Sequence, residues 1–219
     1  MTDRVALERP WLTWEFDRPQ RVLSWAINNP GFVETTRILW REVRNADLPV
    51  DLDVRKWLQT ELSERKSQDA VAFLTSRDIR AFHDRTCVIE NATARCIATT
   101  GLSNAERVGT RMDRSSTSWG TINIAVHTDI PLSDPARVEA ISVAAQARTV
   151  AVMSAGLVLP TGLATGTGTD CVAIAAPAGD TSYAGLHTAL GEAIGASVVQ
   201  AVSAGAAEWM QHVRRKESL

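Results

Sequence analysis

The 219-residue chain has only three cysteines, Cys87, Cys96 and Cys171, and no CxxC spacing among them. An odd count leaves at least one thiol unpaired, which fits a reducing compartment, so a cytoplasmic location is expected. The four histidines include no HxxxH or HxH pair. A zinc site built from sequence-local histidines is therefore not indicated, and no residue is assigned as a metal ligand. No GK[ST] follows the glycine-rich stretch near residue 166, which weighs against a nucleotide-phosphate cradle and a phosphate or nucleotide transferase. Charge of one sign is also lacking. With 23 basic and 25 acidic residues the net charge is −2, so there is no basic field for nucleic acid. The N-terminal stretch MTDRVALERPWLTWEFDR has scattered charges and no apolar h-region, and no apolar run of spanning length stands out, so neither export nor membrane insertion is expected.

What is present suits one domain of residues 1–219, long enough to bury a core without disulfide or metal support. Leu12, Trp14 and Phe16 alternate with polar residues, as do Leu23, Trp25 and Ile27 after Asp17-Arg-Pro-Gln20, and this period of two predicts a hairpin. Asn28-Asn-Pro-Gly31 predicts a turn and 33–43 a third strand. Val54, Trp57, Leu58 and Leu62 share one helical face behind a cap at Asp51 or Asp53. A short strand is expected over 71–75, a helical turn over 77–83, and a hairpin of 87–90 with 95–100. Residues 121–128 form a strand whose polar face carries Asn123 and His127 toward solvent or ligand. An alanine-rich helix starts at Ser133 or Asp134 with Pro135 in its first turn and ends near Gly156. A strand over 171–176 and a helix over 186–212 follow, with Arg214, Arg215 and Lys216 near the negative helix end. Hairpins early and strand–helix alternation late predict an α+β fold, a mixed or mainly antiparallel sheet covered by two or three helices.

The most informative segment is 163–170, LATGTGTD, because it sets hydroxyls, glycines and a carboxylate together before an apolar run. Thr165, Thr167 and Thr169 alternate with Gly166 and Gly168, so their hydroxyls share a face if extended, or their amides converge on an oxyanion if looped. Asp170 can orient a histidine, hold an amide, activate water or simply cap a turn. His187 is the sharpest proton-transfer candidate, since imidazole can take a proton and return it to a leaving amine; the alternative is a histidine bonded to a backbone carbonyl. His127 ranks next, and His83 and His212 read as surface residues. Ser103 is a candidate nucleophile and Asn104 a candidate donor to a carbonyl oxygen, unless both merely form a turn. Asn123 and Tyr183 complete the substrate-facing set. Of the seven tryptophans, Trp14, Trp25 and Trp57 lie at apolar-face positions that read as core, and Trp119, preceded by polar serines and followed by glycine, is the best exposed candidate on which a flat ring could stack.

Four blocks, TTGLSNAERVG from Thr99, WGTINIAVHTDIPLSDPARVEA from Trp119, LATGTGTD and YAGLHTALGEAIG from Tyr183, together resemble the adenosylcobinamide amidohydrolase family of corrinoid salvage enzymes. The resemblance implies hydrolysis of the amide that joins the aminopropanol arm to the corrin ring. The corrinoid is then the substrate, its small-molecule partner, and no cofactor is required. The residues alone leave a second class open, a corrinoid-binding carrier or sensor that does not cleave. Oligomeric state, including assembly as a homo-oligomer, is not legible.

Overall fold

The computed structural model describes residues 3–44, 47–49, 51–113 and 120–217, with side chains followed to His212. Strand β1 (Arg4–Glu8) turns at Arg9-Pro10 and pairs antiparallel with the first half of β2 (Trp11–Ser24). The expected hairpin of Leu12–Phe16 with Leu23–Ile27 does not form. Both segments belong to β2, or follow directly from it, and the chain bulges between them: five steps of β2, Glu15 to Gln20, stand against two of β3 (Gly31–Glu42), Arg37 to Thr35. The reversal comes after residue 24 instead. There Asn28 and Asn29 donate to Ala70 O at 2.7 and 3.0 Å, and Gly31 takes a positive φ of 84°.

Helix α1 (Val54–Glu64) is capped by Asp53, which accepts from Lys56 N at 3.1 Å. Strand β4 (Val71–Thr75) runs parallel to β3. A single 3-10 turn, Ile79–Ala81, leads into β5 (Phe82–Ile89), longer than expected, which pairs with β6 (Ala92–Thr100) around Glu90 and Asn91. The short β7 (Ala105–Glu106) follows, then β8 (Ile122–His127) and α2 (Asp134–Ser154), whose cap Ser133 accepts from Ala136 N. After it come β9 (Val158–Leu159), β10 (Gly162–Leu163), β11 (Gly166–Thr167), β12 (Cys171–Ala176) and α3 (Ala189–Glu217). The main sheet has eight strands in the order β4-β3-β2-β12-β8-β6-β5, with β1 beside β2. Its parallel pairs, β3 with β4 and β8 with β12, make it mixed, and with the three α-helices of the described residues the fold is α+β as expected.

This sheet is folded over on itself. Strand order separates β4 from β8 by three strands, yet Asn123 Nδ2 donates to Leu74 O at 2.7 Å, and Trp14 of β2 meets the His127 ring at 5.9 Å. One core therefore lies between two wings, with Trp14, Trp40 and Phe73 on one side and Ile97, Ala125, Ala173 and Ala175 on the other. The outer face of β6, β8 and β12 packs on α2 and α3, and that of β3 and β4 on Leu58 and Leu62 of α1. Alanines on α2 and small residues on α3 allow close approach. A side chain at Gly195 would come within 3.7 Å of Val143 of α2, and one at Gly191 would collide with the Gly185 carbonyl in the segment that leads into α3. Contrary to the sequence expectation, Ala189–His212 is long and apolar enough to cross a membrane by length and composition. Here it lies along β5, β6 and α2, and Val198, Ala201, Val202 and Ala206 are buried in the core.

The folded-over sheet also overturns the expected polar face of β8. Asn123 and His127 are buried at 1 % and 3 % exposure, because the face opposite α2 meets the other wing rather than water.

Candidate active site

At one end of the sheet β6 finishes while β8 and β12 begin, and three loop segments meet there. The first is the turn at Ser103 and Asn104, the second the approach to β8 at Gly120 and Thr121, and the third the Thr165–Asp170 loop. Strand β11 pairs with β7, joining the first to the third. Gly168 N donates to Asn104 O at 3.2 Å, and Thr121 Oγ1 donates to Thr169 O at 2.8 Å. A Cβ at Gly120 would stand 2.6 Å from Ser103 N, so only glycine lets the Ser103 backbone come so close.

Beneath this rim Asp170 acts as an anchor. Its carboxylate, 6 % exposed, forms an ion pair with Arg148 of α2 and accepts from the Thr167 hydroxyl, from Thr167 N at 3.0 Å and from Ile122 N at 3.2 Å. Four donors fill the lone-pair positions of a carboxylate, so Asp170 has little capacity left to act as a base or hold substrate. Burial pulls the Arg148 guanidinium below its usual range, and the group remains a cation. A side chain at Gly166 would meet Arg148 Nη1 at 2.5 Å and Asp170 Oδ2 at 2.6 Å. The glycine therefore keeps the ion pair intact. Thr165 is structural too, receiving Val108 N at 2.7 Å and buried at 8 % exposure.

What remains open to a ligand is a rim of exposed polar groups. Ser103, Gly168 and Thr169 are exposed, Asn104 and Thr167 half-buried. Asn104 Nδ2 makes a long contact of 3.4 Å to Thr169 Oγ1, which donates to Gly120 O at 3.1 Å.

The structure does not bring His187 to Asp170. Asp170 precedes β12 and Tyr183 and His187 follow it, so a strand of six residues, about 20 Å at 3.3 Å per residue, separates them. Contacts along α2 agree. Ala184 N is held by Glu139 at 2.8 Å, whereas Asp170 meets Arg148, nine residues or about 13 Å further along the helix. Nor does His187 open the helix. Thr188 caps it, accepting from Gly191 N at 2.9 Å, and His187 is exposed before that cap. His127 is at the far end of β8 as well, packed between Trp14 and Phe16.

Two expectations about bland residues also change. His83 is not a surface residue: its side chain is 15 % exposed, and its Nε2 is 3.5 Å from Glu208, which Arg77 holds at 2.7 Å. Burial pulls its pKa below the ordinary histidine value, against the opposing pull of Glu208. Trp25 is not core. It is 46 % exposed, beyond the end of β2, and its Nε1 donates to Asp170 O at 2.6 Å. Trp14 is fully buried, while Trp119 lies outside the described residues. Sequence reasoning missed Arg148, although its spacing from Ala144 and Ala151 places it on the buried face of α2, where a charge requires a partner. Among the described residues no group of three or more His, Cys, Asp or Glu side chains is placed to hold a metal ion.

The sequence profile described as adenosylcobinamide amidohydrolase, CbiZ, matches residues 1–214. No curated protein matches. Among solved structures, a beta-aminopeptidase of Burkholderia sp. aligns with a TM-score of 0.48 at 13 % identity, over 94 % of this chain and 79 % of that one. The PH0078 protein from Pyrococcus horikoshii OT3 aligns with a TM-score of 0.43 at 11 % identity, over 93 % and 82 %.

Proposed function

Since the chain belongs to the adenosylcobinamide amidohydrolase family, a family of hydrolases acting on amides, we propose that its substrate is adenosylcobinamide itself. Hydrolysis of the aminopropanol amide gives adenosylcobyric acid and 1-amino-2-propanol. The observation that carries the assignment to a site is the rim of exposed Ser103 and Thr169 with half-buried Asn104 between them, set on the anchored Asp170–Arg148 pair. Such an arrangement presents donors and a hydroxyl without needing to reorganise, which is what stabilisation of a developing oxyanion requires.

In the proposed step the Ser103 hydroxyl oxygen bonds to the carbonyl carbon, and Asn104 Nδ2 donates to the carbonyl oxygen as it gains charge. The C–N bond then breaks, and the amine departs with the proton that the serine gave up. Water splits the resulting ester, freeing the carboxylic acid and restoring the hydroxyl. Asp170 is a positioning residue that keeps Thr167 and Thr169 in register.

The proton needs a carrier, and His83 is the histidine proposed for it. Its partner strand β6 leads to the Ser103 turn, and Arg77, which shares Glu208 with it, has its Cβ 3.8 Å from where a side chain at Gly101 would begin. His187, at the far end of β12, is given no part in the step.

The test is incubation of the purified chain with adenosylcobinamide in the absence of nucleotide, followed by chromatography of the products. Free aminopropanol with an equal amount of adenosylcobyric acid is expected. Retention of the corrinoid without release of the amine would replace the hydrolase with a carrier or sensor.

A further inference from the structure

The exposed indole beside the site has no role in the hydrolysis as written, and it is a costly group to leave in water. We infer that Trp25 is a stacking platform for a flat conjugated ring of the substrate, and that the ring is the corrin macrocycle. The inference rests on the proposed function and adds the residue that receives the body of the ligand.

Several contacts fix this ring. Its one polar atom, Nε1, is taken by Asp170 O at 2.6 Å, so what it offers is aromatic surface alone. Cys171 Sγ lies 3.8 Å from Trp25 O, tying the backbone to the start of β12. On either side, Ser24 is 4 % and Ala26 2 % exposed, so the residue stands between two buried neighbours. Yet Trp25 is 46 % exposed. A tryptophan with its hydrogen bond satisfied, its backbone anchored and nearly half of its surface left open is pre-organised for a ring, because little side-chain freedom remains to be lost on binding.

Position supplies the second half of the argument. Asp170 holds Thr167 and Arg148 with its carboxylate and Trp25 with its carbonyl, so one residue sets the spacing between the polar rim and the aromatic face. A substrate with an amide arm on a broad flat ring needs that combination: donors for the arm, and an adjoining apolar surface for the ring. A small aliphatic amide would leave the indole uncovered. Adenine on the upper face of the corrinoid is the other flat ring that could occupy it, and the experiment separates the two.

Binding and turnover are measured for wild type, Trp25→Ala and Trp25→Phe with adenosylcobinamide, with cobinamide lacking the adenosyl group, and with adenosine alone. Thermal melts establish that each protein is folded. Trp25→Ala should raise Kd and KM for both corrinoids by roughly five- to a hundredfold, the range that removal of an aromatic stacking partner gives, with kcat close to wild type. Trp25→Phe loses the hydrogen bond to Asp170 and keeps a ring, so it should recover most of the affinity. A loss confined to the adenosyl form, with adenosine bound by wild type alone, overturns the corrin assignment in favour of adenine. If Trp25→Phe is as weak as Trp25→Ala, or if kcat falls while KM holds, the residue positions Asp170 and is no platform. Equal binding by wild type and Trp25→Ala overturns the inference alone, whereas a wild type that binds no corrinoid overturns the proposed substrate and the inference together.

Discussion

Replacing Asp170 by asparagine should damage the fold before it damages the chemistry. The carboxylate accepts from Arg148, from the Thr167 hydroxyl, and from two backbone amides at 3.0 and 3.2 Å. An amide in its place presents one oxygen and one NH2 to a ring of donors. At least one donor–donor contact results, and Arg148, whose side chain is 18 % exposed, keeps its charge without a counter-ion. Breaking a buried pair from one side costs about 3–5 kcal/mol, because the remaining charge is left uncompensated. For a chain of this size each kcal/mol lowers Tm by about 2–4 °C, so a fall of roughly 6–20 °C is expected. Arg148→Met should be destabilising as well, stranding the carboxylate. The double variant should lose clearly less than the two single losses combined, since neither stranded charge then exists. Urea melts of the four proteins give the coupling directly. An Asp170→Asn protein that melts within 2 °C of wild type, or two losses that simply add, would refute the idea that this ion pair anchors the loop.

Much of the fold is legible from periodicity because the signal is local. The face of α1, the Ser133 cap of α2 and the apolar run of β12 can each be read within a dozen residues. The hairpin expected at Asp17–Gln20 failed for the opposite reason. Alternation on both sides of that segment is the same whether the chain reverses or bulges, and only the distant partners β1, β3 and β12 decide. Likewise a polar face on β8 is consistent with solvent until the other wing closes over it, which no local pattern reveals. Legibility of the site divides along the same line. Hydroxyls in the 163–170 loop and the Ser103-Asn104 turn announce themselves by composition, and the structure does bring those two segments together. His187 and Asp170 both bear suitable chemistry and are close in sequence, yet β12 runs between them and carries them to opposite ends of the sheet. Arg148 shows the reverse case, distant in sequence and adjacent in space. Alternation with Leu23 reads Trp25 as core, but beyond the bulge the buried face of β2 carries Gln20, Val22 and Ser24, so Leu23 and Trp25 lie on the opposite, more open face.

The remaining predictions concern the reacting groups and the acid limit of stability. Ser103→Ala should abolish turnover while Asn104→Ala reduces it by something on the order of a hundredfold or more, the worth of an oxyanion donor, both with Tm little changed; activity per folded molecule near wild type in either would remove that residue from the step. His83→Gln should flatten the acidic limb of the pH–rate profile, a limb placed below pH ~6.5 because burial lowers this imidazole's pKa within its surroundings of Glu208, Arg77, Arg85 and Thr100, whereas His187→Ala should leave the profile intact. The opposite pattern would return the proton-transfer role to His187. His127 should limit stability in acid. It is packed against Trp14 and Phe16 with neither ring nitrogen hydrogen-bonded among the described residues, and burial lowers its pKa against the weaker pull of Asp129. The folded protein therefore resists a proton that the unfolded chain accepts at about pH 6.5. Its contribution is complete above that pH and is lost as the pH falls towards the lower folded value, at up to about 1.4 kcal/mol per pH unit. Buried His83 has the same sign, and carboxylates add their own losses at lower pH, so the measurement is the difference between wild type and His127→Phe in urea melts from pH 7.5 to 5. The variant should lose less stability over that range. If the two stability curves run parallel, His127 takes up its proton without unfolding the chain, and the closed core between the wings admits more water than its burial implies.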